Sequence, residues 1–301
     1  MNRREFMNKI GIVTDSCSSI SAEEAEKLGI HVLPMPFYID EKPYYEGITL
    51  SREEFFEKLA AGAQVSTSQP SPADVMNLWD DVLKENEQIL YLPLSSGLSG
   101  SCMTAAALAS EEPYEGRVFV VDHGRIATPL HRLVLDALDL IREGYEASEI
   151  REILENAREQ MSIYIGVDTL EYLKKGGRIT PAAAAVGSVL HIKPVLQLAV
   201  GKLDSYKKCR GFLKAKKIMI EALKNDLETR FHDAWQRGEV SLMAASSASK
   251  EETKKWVMEI EEAFPGHSVM CDDLPLGVCC HTGAGALGIG CSINPFRPEK
   301  K

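Results

Sequence analysis

Short apolar runs alternate with amphipathic stretches along the first half of the chain. Lys9-Ile10-Gly11-Ile12-Val13-Thr14 reads as a buried strand, and His31–Pro36, Ile89–Leu92 and Val118–Val121 as further strands. The helix signals between them are chemical. Ser21 with Glu24, and Ser51 with Glu54, have the spacing of capping boxes, so a helix follows each, the second running through Leu59. Ser71-Pro72 places an N-cap and a first-turn proline before a helix to about Lys84. Ser101–Ala109 and Pro129–Arg142 complete the helical set. Such alternation predicts an α/β protein whose N-terminal lobe holds a mainly parallel sheet covered on both faces.

After an amphipathic helix over Glu149–Gln160, a second α/β lobe begins near Met161, dividing the chain into residues 1–161 and 162–301. Its predicted elements are a strand over Ile163–Val167, a helix over Leu170–Lys175 ended by Gly176-Gly177, and a helix over Pro181–Leu190. Val195–Val200 and Leu203–Lys207 form a hairpin turning at Gly201-Lys202. A helix over Leu213–Arg230 and a strand over Val240–Ala245 follow. Ser249 with Glu252 then caps a helix to Phe264, and Ser268–Cys271 and Leu287–Ile293 close the pattern as strands. Two lobes with a short connection favour a ligand held between them.

Composition narrows the function. The chain has 301 residues, 34 basic against 44 acidic, for a net charge of −10, which argues against a nucleic-acid partner. Apolar residues make up 45% and charged residues 26%, the balance of a soluble globular protein. The longest weakly polar run, Thr180–Gly201, carries His191, Lys193 and Pro194 and is not a membrane span. Asn2-Arg3-Arg4-Glu5-Phe6-Met7-Asn8-Lys9 has the look of an export signal but lacks the apolar stretch that should follow. The seven cysteines include no CxxC pair, so they read as reduced thiols of a cytoplasmic protein.

Hydroxyl residues gather where parallel strands should end: Asp15-Ser16, Ser66-Thr67-Ser68-Gln69-Pro70-Ser71, and Ser95-Ser96-Gly97-Leu98-Ser99-Gly100-Ser101. Ligands of open α/β sheets bind at this edge, where helix N-termini offer unpaired N–H groups. A carboxylate or phosphate site is therefore expected, although each loop taken singly reads as well as a helix cap. Gly97-Leu98-Ser99-Gly100 falls one residue short of the hydrolase elbow G-x-S-x-G. A serine esterase using Ser99 or Ser96 with His281, and Asp272 or Asp273 as the acid, is the alternative. Gly283-Ala284-Gly285-Ala286-Leu287-Gly288 formally matches GxGxxG, but only 13 residues follow, too few for a dinucleotide-binding unit. Cys279-Cys280-His281 lacks zinc-ligand spacing, so no metal site is expected.

The ordered set Ile12-Val13-Thr14-Asp15-Ser16, Thr67-Ser68-Gln69-Pro70-Ser71, Ser95–Gly100, Leu173-Lys174-Lys175-Gly176-Gly177-Arg178-Ile179, Ile192-Lys193-Pro194 and His281-Thr282-Gly283-Ala284-Gly285 resembles the DegV family of bacterial fatty-acid-binding proteins over nearly the whole chain. The resemblance implies two α/β lobes with one acyl chain between them, and no catalysis by the protein alone. It further implies a carrier that presents the carboxylate of a long-chain fatty acid to a separate fatty acid kinase. The acyl phosphate then feeds phospholipid synthesis, with transient membrane contact and no cofactor. Carried over, Thr67 and serines among Ser95, Ser96 and Ser99 bind the carboxylate, His281 completes the polar network, and Arg178 contacts the kinase or its phosphate. The chain departs from the family pattern at Ala284, where proline is usual, at Cys279-Cys280, at Ile179-Thr180-Pro181, and in an apparent insertion over Asn225–Gly238.

Overall fold

The computed structural model describes residues 9–186, 192–199 and 201–295. Strands β1 (Ile10–Asp15) and β2 (His31–Leu33) open the chain, β3 (Phe37–Ile39), β4 (Lys42–Tyr44) and β5 (Val65–Thr67) follow, and then β6 (Gln88–Leu92) and β7 (Val118–Val120). The order β2-β1-β6-β7 forms an all-parallel sheet, as the alternation predicts. Its interleaved helices are α1 (Ala22–Leu28), α2 (Arg52–Ala60), α3 (Pro72–Val82), α4 (Ser101–Ala109), α5 (Thr128–Arg142) and α6 (Ala147–Asn156). Ser51 and Glu54 cap α2 reciprocally. At α1 only half of the expected box forms: Ser21 accepts from the Glu24 N–H, while the Glu24 carboxylate lies 3.2 Å from His131 Nε2 on α5.

The second lobe contains α7 (Glu171–Gly176), α8 (Pro181–Val186), α9 (Phe212–Glu228), α10 (His232–Gln236), α11 (Lys250–Ala263) and α12 (Leu276–Thr282). Its strands are β8 (Met161–Gly166), β9 (Ile192–Ala199), β10 (Lys202–Arg210), β11 (Val240–Ser246), β12 (Val269–Asp273) and β13 (Leu287–Ile293). They form a mixed sheet in the order β10-β9-β8-β13-β11-β12, antiparallel throughout except between β11 and β12. The expected helix over Pro181–Leu190 is observed to Val186, and its last four residues lie outside the described residues, as does Val200 of the hairpin. A small antiparallel sheet, β4-β3-β5, is not foreseen by the pattern, which leaves Ser66-Thr67 in a loop. Its strands have three residues each, too short for alternation to register. Among the described residues no helix is long and apolar enough to cross a membrane.

The two large sheets are tied through α5 and the segment before it. Leu130, Leu133, Val134, Ala137 and Leu140 of α5 are buried against β1 and β6, while Thr128 Oγ1 donates to the Ala244 carbonyl of β11 at 2.8 Å. Arg125 is fully buried and donates to Ser292 Oγ of β13 at 2.5 Å and to the Ala157 carbonyl at 3.3 Å, and its own carbonyl accepts from the Ser95 N–H. At the end of β1, the buried Asp15 accepts from the Cys17 and Leu94 N–H groups at 2.9 and 2.6 Å. That carboxylate fixes the two hydroxyl-rich strand ends to each other. Burial pushes its pKa up to about 6, against the pull of those N–H donors.

A second tie is backbone on backbone. A Cβ on Gly97 would lie 2.1 Å from the Gly201 Cα in the β9–β10 turn, where Gly201 has φ +79°. Only glycine permits so close an approach. Gly97→Ala is therefore expected to destabilise the fold by about 1–3 kcal/mol. Gly100→Ala should cost less, because its Cβ meets only the Gln69 side-chain oxygen, at 3.0 Å. Urea unfolding of both variants checks the difference.

Candidate functional site

A deep cavity of about 1090 Å³, open mouth included, lies between the parallel sheet and the face of the mixed sheet. Its wall is overwhelmingly apolar. Met35, Leu94 and Ile126 come from the first lobe, and Ile163, Leu198 and Met243 from the second. Ile163 and Ile165 alternate along β8, so both point to the same side, a period-two signal that the sequence carries openly. Leu98, Leu198 and Leu203 line the wall around the Gly97–Gly201 contact, so this backbone closure helps to seal the chamber.

Polar groups collect at one part of the wall. Thr67 ends β5, Ser99 lies in the loop between β6 and α4, Arg178 follows α7, and His281 sits on the last turn of α12; all four line the cavity. Thr67 Oγ1 and His281 Nε2 are hydrogen-bonded at 2.9 Å. The helix end beneath explains two glycines. A Cβ on Gly176 would lie 2.1 Å from His281 Nδ1, and Gly177 caps α7 with φ +68°. The ring of His281 therefore packs directly on bare backbone.

Burial pushes the His281 pKa down to about 4, and the neighbouring Arg178 charge adds to the effect. The ring is neutral at physiological pH. Its Nδ1 is buried without a hydrogen-bond partner. Leaving an acceptor unpaired costs less than leaving an N–H unpaired, so the proton belongs on Nε2, directed at Thr67 Oγ1. The Thr67 hydroxyl then keeps its own hydrogen for a group in the cavity. Arg178 donates from Nε to the Leu98 carbonyl at 3.2 Å and from Nη1 to the Gly176 carbonyl, spanning the two lobes. Lys174 and Lys175 point outward, away from this wall.

Ser95 and Ser96 are placed elsewhere. Ser95 is buried, and its hydroxyl accepts from the Gly97 N–H at 3.4 Å. Ser96 Oγ donates to Asp122 at 2.7 Å, and Asp122 in turn is paired with Arg158 at 2.6 Å. Neither residue lines the cavity, whereas Ser99 does, with its hydroxyl accepting from the Ser101 N–H at 3.2 Å. The esterase arrangement is not assembled. His281 bonds Thr67, not a serine, and its Nδ1 faces no acid. Asp272 is bonded to His131 at 3.1 Å, and Asp273 lies 3.8 Å from Arg52.

The remaining marked residues lie off the cavity or shape its edge. Gly283 and Gly285 take φ +72° and +76° in the turn from α12 to β13, which Ser247 Oγ fixes by accepting from the Ala286 N–H at 2.9 Å. Ala284 is exposed on this turn. The Asn225–Gly238 stretch completes α9 and forms α10, with Trp235 packed edge-on to Phe264, remote from the cavity wall.

Known proteins are similar to this chain in architecture and, at about a third identity, in sequence. The profile of the DegV family, described as uncharacterised proteins, matches residues 9–294. A DegV domain-containing protein of Deinococcus radiodurans is 31% identical over 281 residues, covering 93% of this chain and 97% of its own. Among solved structures, a fatty-acid-binding DegV family protein of Thermus thermophilus is 30% identical with a TM-score of 0.82, covering 95% of this chain and 99% of its own. DegV of Bacillus subtilis, a fatty-acid-binding protein, is 28% identical with a TM-score of 0.82 over the same shares. With its fold, motif order and near-complete match in agreement, this chain belongs to the DegV family.

Proposed function

We propose that this protein binds one long-chain fatty acid in the cavity between its lobes, residues 1–161 and 162–301, and presents the carboxylate to a separate fatty acid kinase. The observation that carries the reading is the pairing of a deep apolar chamber with one polar corner built from Thr67, Ser99 and His281. An alkyl tail gains about 0.8 kcal/mol per buried methylene, so the chamber supplies most of the affinity. A carboxylate brought out of water must be hydrogen-bonded to avoid a large desolvation cost. Thr67 and Ser99 meet that need as neutral donors. The Ser95 and Ser96 hydroxyls are engaged with Gly97 and Asp122, so they shape the loop that carries Ser99.

Neutral donors suit a carboxylate that must later attack phosphorus, because a full ion pair would hold its lone pairs more tightly. Arg178 is proposed to meet the phosphate that the kinase brings. Acyl phosphate so formed would feed phospholipid synthesis in the cytoplasm, with transient contact at the membrane from which the acid comes. Fatty acid binding by the related Thermus thermophilus and Bacillus subtilis proteins supports the first part of this reading.

Three outcomes are expected. Denaturing extraction of the purified protein, followed by mass spectrometry, should release one fatty acid per chain, and apo protein that takes up no added acid would overturn the proposal. Thr67→Ala and Ser99→Ala should each weaken palmitate binding by about 1.5–3 kcal/mol, the worth of a hydrogen bond to a charged group, as read by calorimetry. Arg178→Ala should retain bound lipid but slow acyl phosphate formation by the kinase; unchanged turnover would remove Arg178 from the proposed chemistry.

The pH dependence follows from His281. With a folded pKa of about 4 against an ordinary 6.5, ligand-free protein loses stability as pH falls from about 6.5 towards 4. An added carboxylate offsets the Arg178 charge and stabilises the imidazolium, so palmitate should move the His281 titration upward. Histidine-selective NMR, with and without palmitate, reads this shift directly.

A further inference from the structure

Four of the eight described glycines with ordinary φ are held small by a neighbour. A Cβ would come within 2.6 Å of Val82 at Gly11, 2.1 Å of Gly201 at Gly97, 2.1 Å of His281 at Gly176 and 2.5 Å of the Ser162 carbonyl at Gly290. Gly100, Gly166 and Gly288 have neighbours at 3.0, 3.4 and 3.5 Å. Gly277 differs. It lies in α12 outside the left-handed region, and a Cβ there would meet nothing within 4 Å. Neither conformation nor packing demands glycine at this position, the second residue of α12, and alanine is the better helix former.

Gly277 lines the cavity together with Val278, His281 and Thr282 of the same helix, and the space that a Cβ there would enter is open. Gly277 and His281 are four residues apart, so they share a helix face and stand about 6 Å from each other along the axis. A clearance of 4 Å admits one methylene or methyl group in van der Waals contact.

Resting on the fatty-acid reading above, we infer that Gly277 is a specificity-determining residue: the acyl chain crosses its bare Cα within the first few carbons after the carboxylate. The missing side chain then sets the girth of the chain that can leave the polar corner. Val278, the next residue, packs against the buried cluster of Cys17, Met35 and Leu94 and bounds the passage on its side. The position is distinct from the Thr67–His281 anchor, so it should govern which tails enter without changing how the carboxylate is held.

The test compares Gly277→Ala and Gly277→Leu with the natural chain, using palmitate as probe and both calorimetric affinity and ligand-free thermal stability as readouts. Alanine should leave ligand-free stability equal or raised, because it favours the helix and has room, yet weaken palmitate on the order of tenfold, the effect of one methylene in a tight apolar site. Leucine should weaken it further, beyond roughly a hundredfold on the same scale. Palmitate affinity unchanged in the alanine variant overturns the inference while leaving the fatty-acid reading intact. Failure of the natural chain to bind palmitate or any other long-chain acid overturns that reading and the inference with it. A leucine variant that fails to fold does not spare the inference, since the alanine variant alone then decides it.

Discussion

Burial strips the His281 ring of water, and Arg178 sets a like charge beside the cation that the ring would otherwise become. The imidazole is therefore held neutral, and the rest of the site is arranged around that fact. A neutral ring can rest on the bare backbone of Gly176, leave Nδ1 unpaired, and spend its one N–H on Thr67. A charged ring in the same place would sit beside the Arg178 cation with neither ring nitrogen bonded to a carboxylate. The guanidinium of Arg178 serves the same arrangement: it is anchored on the Leu98 and Gly176 carbonyls, so its charge lies at the wall on a fixed backbone scaffold.

Keeping water from that corner requires the lobes to close tightly, and several of the contacts that close them are highly specific in geometry. Gly97 against Gly201 is a fit of main chain to main chain that no side chain can imitate. Arg125, enclosed completely, reaches Ser292 across the boundary, and Thr128 reaches Ala244. Buried polar links of this kind add little net stability when satisfied but cost much when misplaced, so they select one docking of the two sheets over its neighbours. Ala127, next to these links, takes φ +52° and lines the cavity, so the same segment carries backbone strain directly at the wall.

How much of this could be read in advance depended on whether a signal was local. Ser51-Glu54, Ser71-Pro72 and Ser249-Glu252 announce their helices because caps act within one turn, and α2, α3 and α11 begin where they indicate. The Glu24 partner of Ser21 departs from that scheme because His131, distant in sequence, lies near its carboxylate. The three-residue strands β3 to β5 leave no periodic trace, so Thr67 looks like a loop residue until its pairing with Phe37 places it on a sheet. Among Ser95, Ser96 and Ser99 the sequence offers no choice. In the structure Asp122 and Arg158 hold Ser96 off the cavity wall, and neither motif nor spacing links these residues to the loop. Gly277 leaves no trace in the sequence either, because only the space around it separates it from an ordinary helix position.

The hydrogen bond between Thr67 and His281 joins residues 214 positions apart, and the Arg125–Ser292 contact joins residues 167 apart. Loops of that length are expensive to close and give nothing back until both ends are in place. On that ground the polar corner is expected to be among the last features to form as the chain folds, after each sheet has gathered its own helices. Until α12 joins, the apolar faces destined for the chamber are open to one another and to other chains. The chamber is thus a late product of assembly, and a molecule that fills it would act as a check that assembly is complete.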